Sequence, residues 1–276
     1  MQKAILISGA GGGIGNAGAL QLALAGYTVF AGAMNDAEMV ALRAMHANIK
    51  PMLLDVTQDA SIENAIKFVS SELGSEKLFG LWSNGGIMRI SAFKNLPVSE
   101  IKNVVNVNLL GAMLIIHATL PLLERNQSRV VITGSATGML ASPAASIYSA
   151  TKWGLEGFVD ALRIELGIVG IRLSLIEPGL VNSPMAVAAT PAVDALLATM
   201  NEQDKKDYGG LVRTIADTSA KASTKPEAVA RAMVEAFTSA TPKVRYRVGI
   251  DRKAVGVLRH FPDGVKDFLQ RKIFGL

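Results

Sequence analysis

The chain has 276 residues, half of them hydrophobic, 26 of them glycine and none of them cysteine. That length supports a core without covalent staples, and the lack of cysteine excludes disulfides, thiol catalysis and thiolate metal sites. The formal charge of +5 is concentrated in residues 241–276, which hold nine of the 28 Lys and Arg and three of the 23 Asp and Glu; the rest, at net −1, offers no basic face to nucleic acid.

Met1-Gln2-Lys3 runs directly into an apolar segment, so no secretory signal is expected. The most apolar stretch, Leu109–Leu123, is broken by His117 and Pro121 and falls short of the ~20 residues of a membrane span. The expectation is a soluble, cytoplasmic protein. Its scattered histidines (His46, His117 and His260) make a metal site unexpected. Short apolar runs fall at Ala4–Ser8, Thr28–Gly32, Lys50–Leu54, Leu78–Ser83, Arg129–Thr133, Arg172–Ile176 and Arg245–Gly249. Segments of helical period separate them, near 15–25, 36–46, 59–73, 99–124, 146–168 and 226–239. The helix starts are marked by Asp59 with Glu63 nearby and by Pro226 after Lys225. The alternation predicts an α/β fold: one Rossmann-like domain over 1–276, with a doubly wound parallel sheet of about seven strands flanked by helices. Right-handed crossovers bring the C-terminal ends of all strands to one edge, where ligands bind in such sheets.

Two pieces of chemistry reach that edge. Gly9, Gly11, Gly12, Gly13 and Gly15, with Ala10 and Ile14 among them, follow the first strand and open a helix. Glycines admit positive φ and close approach to a pyrophosphate, and the helix N-terminus adds free N–H groups. A G-x-G-x-x-G can be read at Gly13, Gly15 and Gly18, but that register starts too late; Gly9, Gly13 and Gly15 fit better. Further on, Tyr148 and Lys152 lie four apart in a helical segment, one turn apart on one face. An ammonium beside a phenol lowers its pKa and suits Tyr148 to general acid–base work. Ser135, at the end of the preceding strand, can donate to the same substrate oxygen.

In this order the motifs resemble the short-chain dehydrogenase/reductase family over nearly the whole chain. Its Thr-Gly-x-x-x-Gly-x-Gly appears as Ser8 to Gly15, with Ser for Thr. Its adenine-contacting acid is similar to Asp55, followed by Val56, and its Asn-Asn-Ala-Gly appears as Ser83-Asn84-Gly85-Gly86, departing at two positions. The active-site asparagine, which holds a relay water in the family, corresponds to Asn108. The Pro-Gly motif is Pro178-Gly179, with Val181 and Ser183 at the nicotinamide. The resemblance implies that Asn108, Ser135, Tyr148 and Lys152 are catalytic, that Tyr148 exchanges the proton and that Lys152 binds the nicotinamide ribose. It implies NAD(P) as cofactor. Neither an arginine nor the usual acid follows the second strand, and the glycine loop lacks cations, so the lean is to NAD, with Asn35 or Asp36 as ribose contact.

The resemblance also implies a helical substrate lid at about 184–225. Met185, Val187, Leu196, Leu197, Met200, Leu211, Val212 and Ile215 there, with Ile87, Met88, Met139 and Leu140, either line a greasy pocket or pack the lid onto the body. Phe30-Ala31-Gly32-Ala33 and the basic, apolar tail from Arg245 to Leu276, which includes the C-terminal extension at about 250–276, look like the retinol and hydroxysteroid branch, which implies as substrate a bulky hydrophobic secondary alcohol or ketone, a retinoid- or steroid-like small molecule. The tail is read as packing on protein, with weak peripheral membrane contact as the other reading. The family pattern implies a homodimer or homotetramer through helices 99–124 and 146–168. The other functions weighed are a 3-oxoacyl thioester reductase and a non-catalytic NAD(P)-sensing protein of the same fold.

Overall fold

A computed structural model describes residues 3–249, 258 and 260–274. Its centre is a sheet of seven parallel strands: β1 (Ala4–Ser8), β2 (Thr28–Ala33), β3 (Ile49–Leu53), β4 (Gly80–Ser83), β5 (Arg129–Thr133), β6 (Arg172–Pro178) and β7 (Arg245–Val248). Their order is β3-β2-β1-β4-β5-β6-β7, so the chain reverses direction across the sheet between β1 and β4. β1 is buried along its whole length, as a strand covered on both faces must be. The observed strand ends differ from the expected ones by at most two residues.

One face carries α1 (Gly13–Leu24), α2 (Asp36–Met45) and α10 (Pro226–Thr238) over Ile5, Ile7, Trp82 and Ile176. Gly18 matters there because a Cβ would overlap the Trp82 ring and lie 2.8 Å from Met233 of α10. It therefore packs the helix and is no part of a phosphate loop. The other face carries α3 (Asp59–Leu73), α4 (Val98–Val105), α5 (Gly111–Thr119) and α6 (Ser146–Ile168) over Leu6, Leu81, Val130 and Leu175.

The long segment expected at 99–124 is one continuous helical run with an irregular middle. A π-helical turn, Asn106–Leu110, joins α4 to α5, and the run ends in a 3-10 turn at Leu120–Leu122. Such turns displace one residue from the regular ladder and are frequent at functional sites; this one carries Asn108. Val98–Leu122 contains an 18-residue window of mean hydropathy 1.6 and is long and apolar enough to cross a membrane, longer than the sequence reading of Leu109–Leu123. Here Val104, Ala112, Ile115 and Ile116 of the run are buried in the core.

Between β6 and α10 the chain forms α7 (Pro184–Val187), α8 (Ala189–Thr199) and α9 (Glu202–Ala220). Val193, Val212 and Ala216 make a small core of their own, with Ile90, Ala144, Leu196, Leu197 and Tyr208 packed on it. The apolar residues of this region therefore divide between the two uses weighed above: Leu196, Leu197 and Val212 pack α8 on α9, whereas Met185 lines the cleft. The C-terminal extension lies partly outside the described residues, Val255 and Val257 included. Its described part contains α11 (Asp263–Phe274), where the Gln270 side-chain amide donates to the Ala141 carbonyl at 2.8 Å.

Candidate functional site

The strand ends at the switch point open into a cleft of about 690 Å³, bounded by the glycine loop, the segments after β3, β4, β5 and β6, and α7. Every cofactor candidate after these strands except Gly15, Asn35 and Asp36 lines it, as do Ser135, Tyr148 and Lys152.

At one end, Gly9 takes φ +66°, and a Cβ on it would lie 2.7 Å from the Cα of Gly85. Gly15 is buried beneath the loop, where a Cβ would overlap the Gly9 carbonyl. Gly13 begins α1 with Gly12 as its N-cap, so the free N–H groups of the first turn face the cleft edge. Asn84 ties the loop down. Its amide donates to the Gly9 carbonyl at 3.1 Å, its backbone N–H donates to Ser8 Oγ at 3.2 Å, and its carbonyl oxygen accepts from Thr133 Oγ1 at 2.9 Å. Trp82 Nε1 in turn donates to Thr133 Oγ1, so β1, β4 and β5 are cross-linked just under the cleft.

The acid beside the glycine loop is Glu38, which the sequence reading missed. Asn35 caps α2: its oxygen accepts from the Glu38 N–H at 2.9 Å and its amide donates to Glu38 Oε1 at 3.3 Å. Asp36 is exposed on the first helical turn. Neither lines the cleft, because helix α2 starts at Asp36 and folds the Asn35 side chain back onto its own N-terminus. Glu38, one turn in, lines it instead; its Oε2 accepts the Met34 N–H at 2.9 Å and lies where a Cβ on Gly11 would be. The signal was present as an N-cap with an acid three residues later. Asp55 lines the cleft while its carboxylate accepts from the backbone N–H (2.9 Å) and hydroxyl (2.7 Å) of Thr57, a turn built on the side chain itself.

At the other end the four catalytic candidates converge. Ser135 ends the strand β5 segment and caps a 3-10 turn, its Oγ accepting from the Thr137 N–H and hydroxyl at 3.2 and 3.0 Å. Tyr148, in the first turn of α6, lines the cleft together with Ser135. Burial raises the Tyr148 pKa above its ordinary value of 10, and the Ser135 hydroxyl only partly offsets this. The expected lowering by Lys152 is therefore not produced by the chain's own groups. The reason is geometric: Lys152 Nζ donates to the Thr133 carbonyl at 2.9 Å and lies 5.6 Å from the Tyr148 ring centroid. Burial lowers Lys152 itself from 10.5 to about 8. Asn108 is 1% exposed, and both ends of its amide are spent on Ile87: the oxygen accepts from its N–H and the nitrogen donates to its carbonyl, each at 2.8 Å. Its side chain holds the segment after β4 in place. A Cβ on Gly86 would fall 3.5 Å from Asn108 Oδ1 and 3.8 Å from Lys152 Nζ, so this glycine keeps open the space between them.

The Cβ-free floor at Gly9, Gly12 and Gly86 beside a helix N-terminus fits the pyrophosphate of a dinucleotide. Among the described lining residues Lys152 is the one cation. Ile87, Met88, Leu180 and Met185 add apolar wall.

A family model described as short chain dehydrogenase matches residues 3–194. The chain is 30% identical over 280 residues to the dehydrogenase/reductase SDR family member 9 of Bos taurus, covering 98% of this chain and 88% of that protein. It is 31% identical over 284 residues to the mitochondrial D-beta-hydroxybutyrate dehydrogenase of Mus musculus, covering 96% and 82%. With the 17-beta-hydroxysteroid dehydrogenase type 6 of Homo sapiens it shares 30% over 278 residues, covering 97% and 87%. A short chain dehydrogenase/reductase from Burkholderia phymatum in complex with NAD has the same fold, with a TM-score of 0.79 over 94% of this chain and 93% of that one at 22% identity. The chain thus belongs to the short-chain dehydrogenase/reductase family, with relatives in its hydroxysteroid branch, and is an NAD(P)-binding oxidoreductase acting on CH–OH groups.

Proposed function

We propose that the protein interconverts a hydrophobic secondary alcohol, retinoid- or steroid-like in bulk, and its ketone, with NAD as the preferred cofactor. The observation that carries this reading is that Ser135, Tyr148 and Lys152 line one apolar cleft, with Lys152 one turn after Tyr148 on α6. Bound NAD(P) supplies the hydride donor or acceptor at its nicotinamide C4. Gly9 to Gly13, Asp55, Val56, Asn84 to Gly86, Pro178, Gly179, Val181 and Ser183 hold the cofactor. Ser135 fixes the substrate oxygen, and Tyr148 gives it a proton during reduction or takes one during oxidation. Burial keeps Tyr148 protonated at neutral pH, which suits the reductive direction in the free protein. Lys152 places a positive charge behind Tyr148, and the apolar walls exclude water and select a greasy substrate.

NAD over NADP is supported by Glu38, a carboxylate set against Gly11, which would repel a ribose phosphate and accept from ribose hydroxyls. A phosphate-bearing acyl thioester fits less well, since the described cleft wall offers no cation besides Lys152. The test is a panel of retinoid, steroid and short-chain ketones with Tyr148→Phe. The variant is expected to lose about 10²–10⁴-fold in kcat; near wild-type turnover would remove the mechanism. Initial rates with NADH should exceed those with NADPH, and Glu38→Ser should narrow the gap; a strong NADPH preference in the wild type would overturn the cofactor reading.

A further inference from the structure

Behind the catalytic helix lies a buried charge cluster that the reaction described above does not use. Glu177 is the last residue before Pro178-Gly179, and its side chain is fully buried. Glu156 lies one turn of α6 after Lys152, and its Cγ packs 3.3 Å from where a Cβ on Gly138 would be. Arg245 and Arg247 of β7 face the pair from the neighbouring strand. Arg245 donates to Glu156 Oε2 through Nε at 3.0 Å and Nη2 at 2.9 Å, and to Asp160 Oδ1 at 3.0 Å. Arg247 Nε donates to Glu177 Oε2 at 2.9 Å. Arg163 meets Asp160 from the solvent side at 3.2 Å. The turn Ala136–Gly138 packed on α6 contributes no charged group.

These contacts satisfy one oxygen of each glutamate and leave the other. Glu156 Oε1 and Glu177 Oε1 are both buried without a hydrogen-bond partner among the described residues. The nearest cation to Glu177 Oε1, Arg245 Nε, is 3.5 Å away, too long for a good hydrogen bond. Arg245 Nε lies against both carboxylates, 3.0 Å from Glu156 Oε2 and 3.5 Å from Glu177 Oε1, so one guanidinium brings the two side chains together. Two buried carboxylates gathered on one guanidinium, each with an unpartnered acceptor oxygen, are a costly arrangement that a single proton relieves, since one becomes donor and the other remains acceptor.

We propose that Glu156 carries a proton and donates it to Glu177 Oε1, and that this carboxyl–carboxylate link is a positioning device that clamps the end of β6, with Pro178 and Gly179, to the helix bearing Tyr148 and Lys152. The proton stays with the pair and takes no part in the alcohol reaction. The positioning half rests on the proposed function, because it assumes that Pro178 and Gly179 hold the nicotinamide. The shared proton does not rest on it.

The linkage has a definite sign. Burial first, then the charge of Glu177, raises Glu156 from 4.5 to about 7, against the opposing pull of Arg245. The stability it contributes is complete below the ordinary value of 4.5 and is lost as pH rises through about 7. Above that, two like charges sit side by side and the β6 end is pushed from α6.

The experiment compares wild type, Glu156→Gln and Glu177→Gln, because an amide can donate where the acid does. Thermal midpoints without cofactor are measured between pH 5 and 9, with NADH affinity by fluorescence over the same range. The wild-type midpoint should fall relative to Glu156→Gln by about 3 °C or more between the ends of that range. Its NADH affinity should fall severalfold more than the variant's. Titration of Lys152 acts on both proteins and drops out of the difference. Infrared pH-difference spectra should show a carboxylic acid band in the wild type that Glu156→Gln lacks. Parallel curves for wild type and both variants would overturn the shared proton, as would failure of both amide variants to fold. A flattened stability profile with unchanged NADH behaviour would overturn the positioning role. None of these outcomes depends on which alcohol reacts, so a failure of the Tyr148 mechanism is read separately.

Discussion

Gly9 and Gly85 approach each other closely in the cleft, yet only one of them needs to be glycine. Gly9 is held at φ +66°, and its Cβ would press on the Gly85 Cα at 2.7 Å; a Cβ on Gly85 would meet nothing nearer than Ser8 Oγ at 4.0 Å. Gly9→Ala is therefore expected to cost about 1–3 kcal/mol of stability and to weaken NADH binding, whereas Gly85→Ala should fall within about 0.5 kcal/mol of wild type. Chemical denaturation of the two variants checks the contrast, and equal effects would refute it. This also explains why the departure from Asn-Asn-Ala-Gly at Gly85 leaves the site intact. Other residue-scale features were legible only in part. Tyr148, Ser135 and Lys152 could be read from spacing and order because a strand end and a helix turn place them without help from the rest of the chain. Glu38 could be read only through the capping pattern it forms with Asn35, because its role depends on Asn35 capping the helix and thereby turning away from the cleft. The Tyr148 pKa misled for a similar reason: spacing puts the ammonium near the ring, but a hydrogen bond to Thr133 and burial decide the outcome. Lys152, lowered to about 8 by burial, gives a further test. The kcat/KM for ketone reduction reports the free protein, so it should decline as pH rises through about 8, when the ammonium is lost. Lys152→Arg should move that limb upward. A flat profile from pH 7 to 9 would mean that the charge is not required.

At the scale of elements, α8 and α9 are the part the sequence foretold least. Their apolar residues were visible, but the division between wall and internal packing depends on the angle at which the helices cross, which no local pattern encodes. Their attachment is polar. Asp204, 3% exposed at the start of α9, accepts from Lys94 Nζ and the Asn95 amide, each at 2.7 Å, across from the turn after β4. The Asn201 amide adds a third donor at 3.1 Å while its oxygen caps the helix. Lys94 first, then Asn95, holds the Asp204 carboxyl below the ordinary value of 3.8. The stabilisation is present above that value and disappears as pH falls through the lower, folded one. Asp204→Ala should raise hydrogen exchange across Glu202–Ala220 while leaving β1 and β5 protected, and should increase KM for bulky ketones more than it changes kcat. Unchanged exchange in α9 would show that the small apolar core around Val193 and Val212 alone secures these helices.

For the whole molecule, the exposed face of α6 bears on assembly. Leu155, Val159, Leu162 and Leu166 bury one side of that helix in the core. The opposite side presents Trp153, Gly157, Ala161, Ile164 and Ile168, spaced by four, four, three and four residues, with Trp153 46%, Ile164 60% and Ile168 82% exposed. Leu110 of the π turn adds another apolar side chain at 46%. A stripe of that kind, left in water on an isolated chain, is costly, and the open space beside Gly157 leaves room for a partner side chain. A second copy related by a two-fold axis would meet the same stripe with its own, as isologous interfaces require. Sedimentation velocity should therefore give a dimer or tetramer at micromolar concentration. Ile164→Asp combined with Ile168→Asp should shift it toward monomer with the far-UV circular dichroism unchanged, since neither side chain supports the core. The Tyr148 site lies on the same helix, so the monomerised variant should also lose turnover if the interface steadies α6. A wild-type chain that sediments as a monomer at every concentration would refute the assignment of this face.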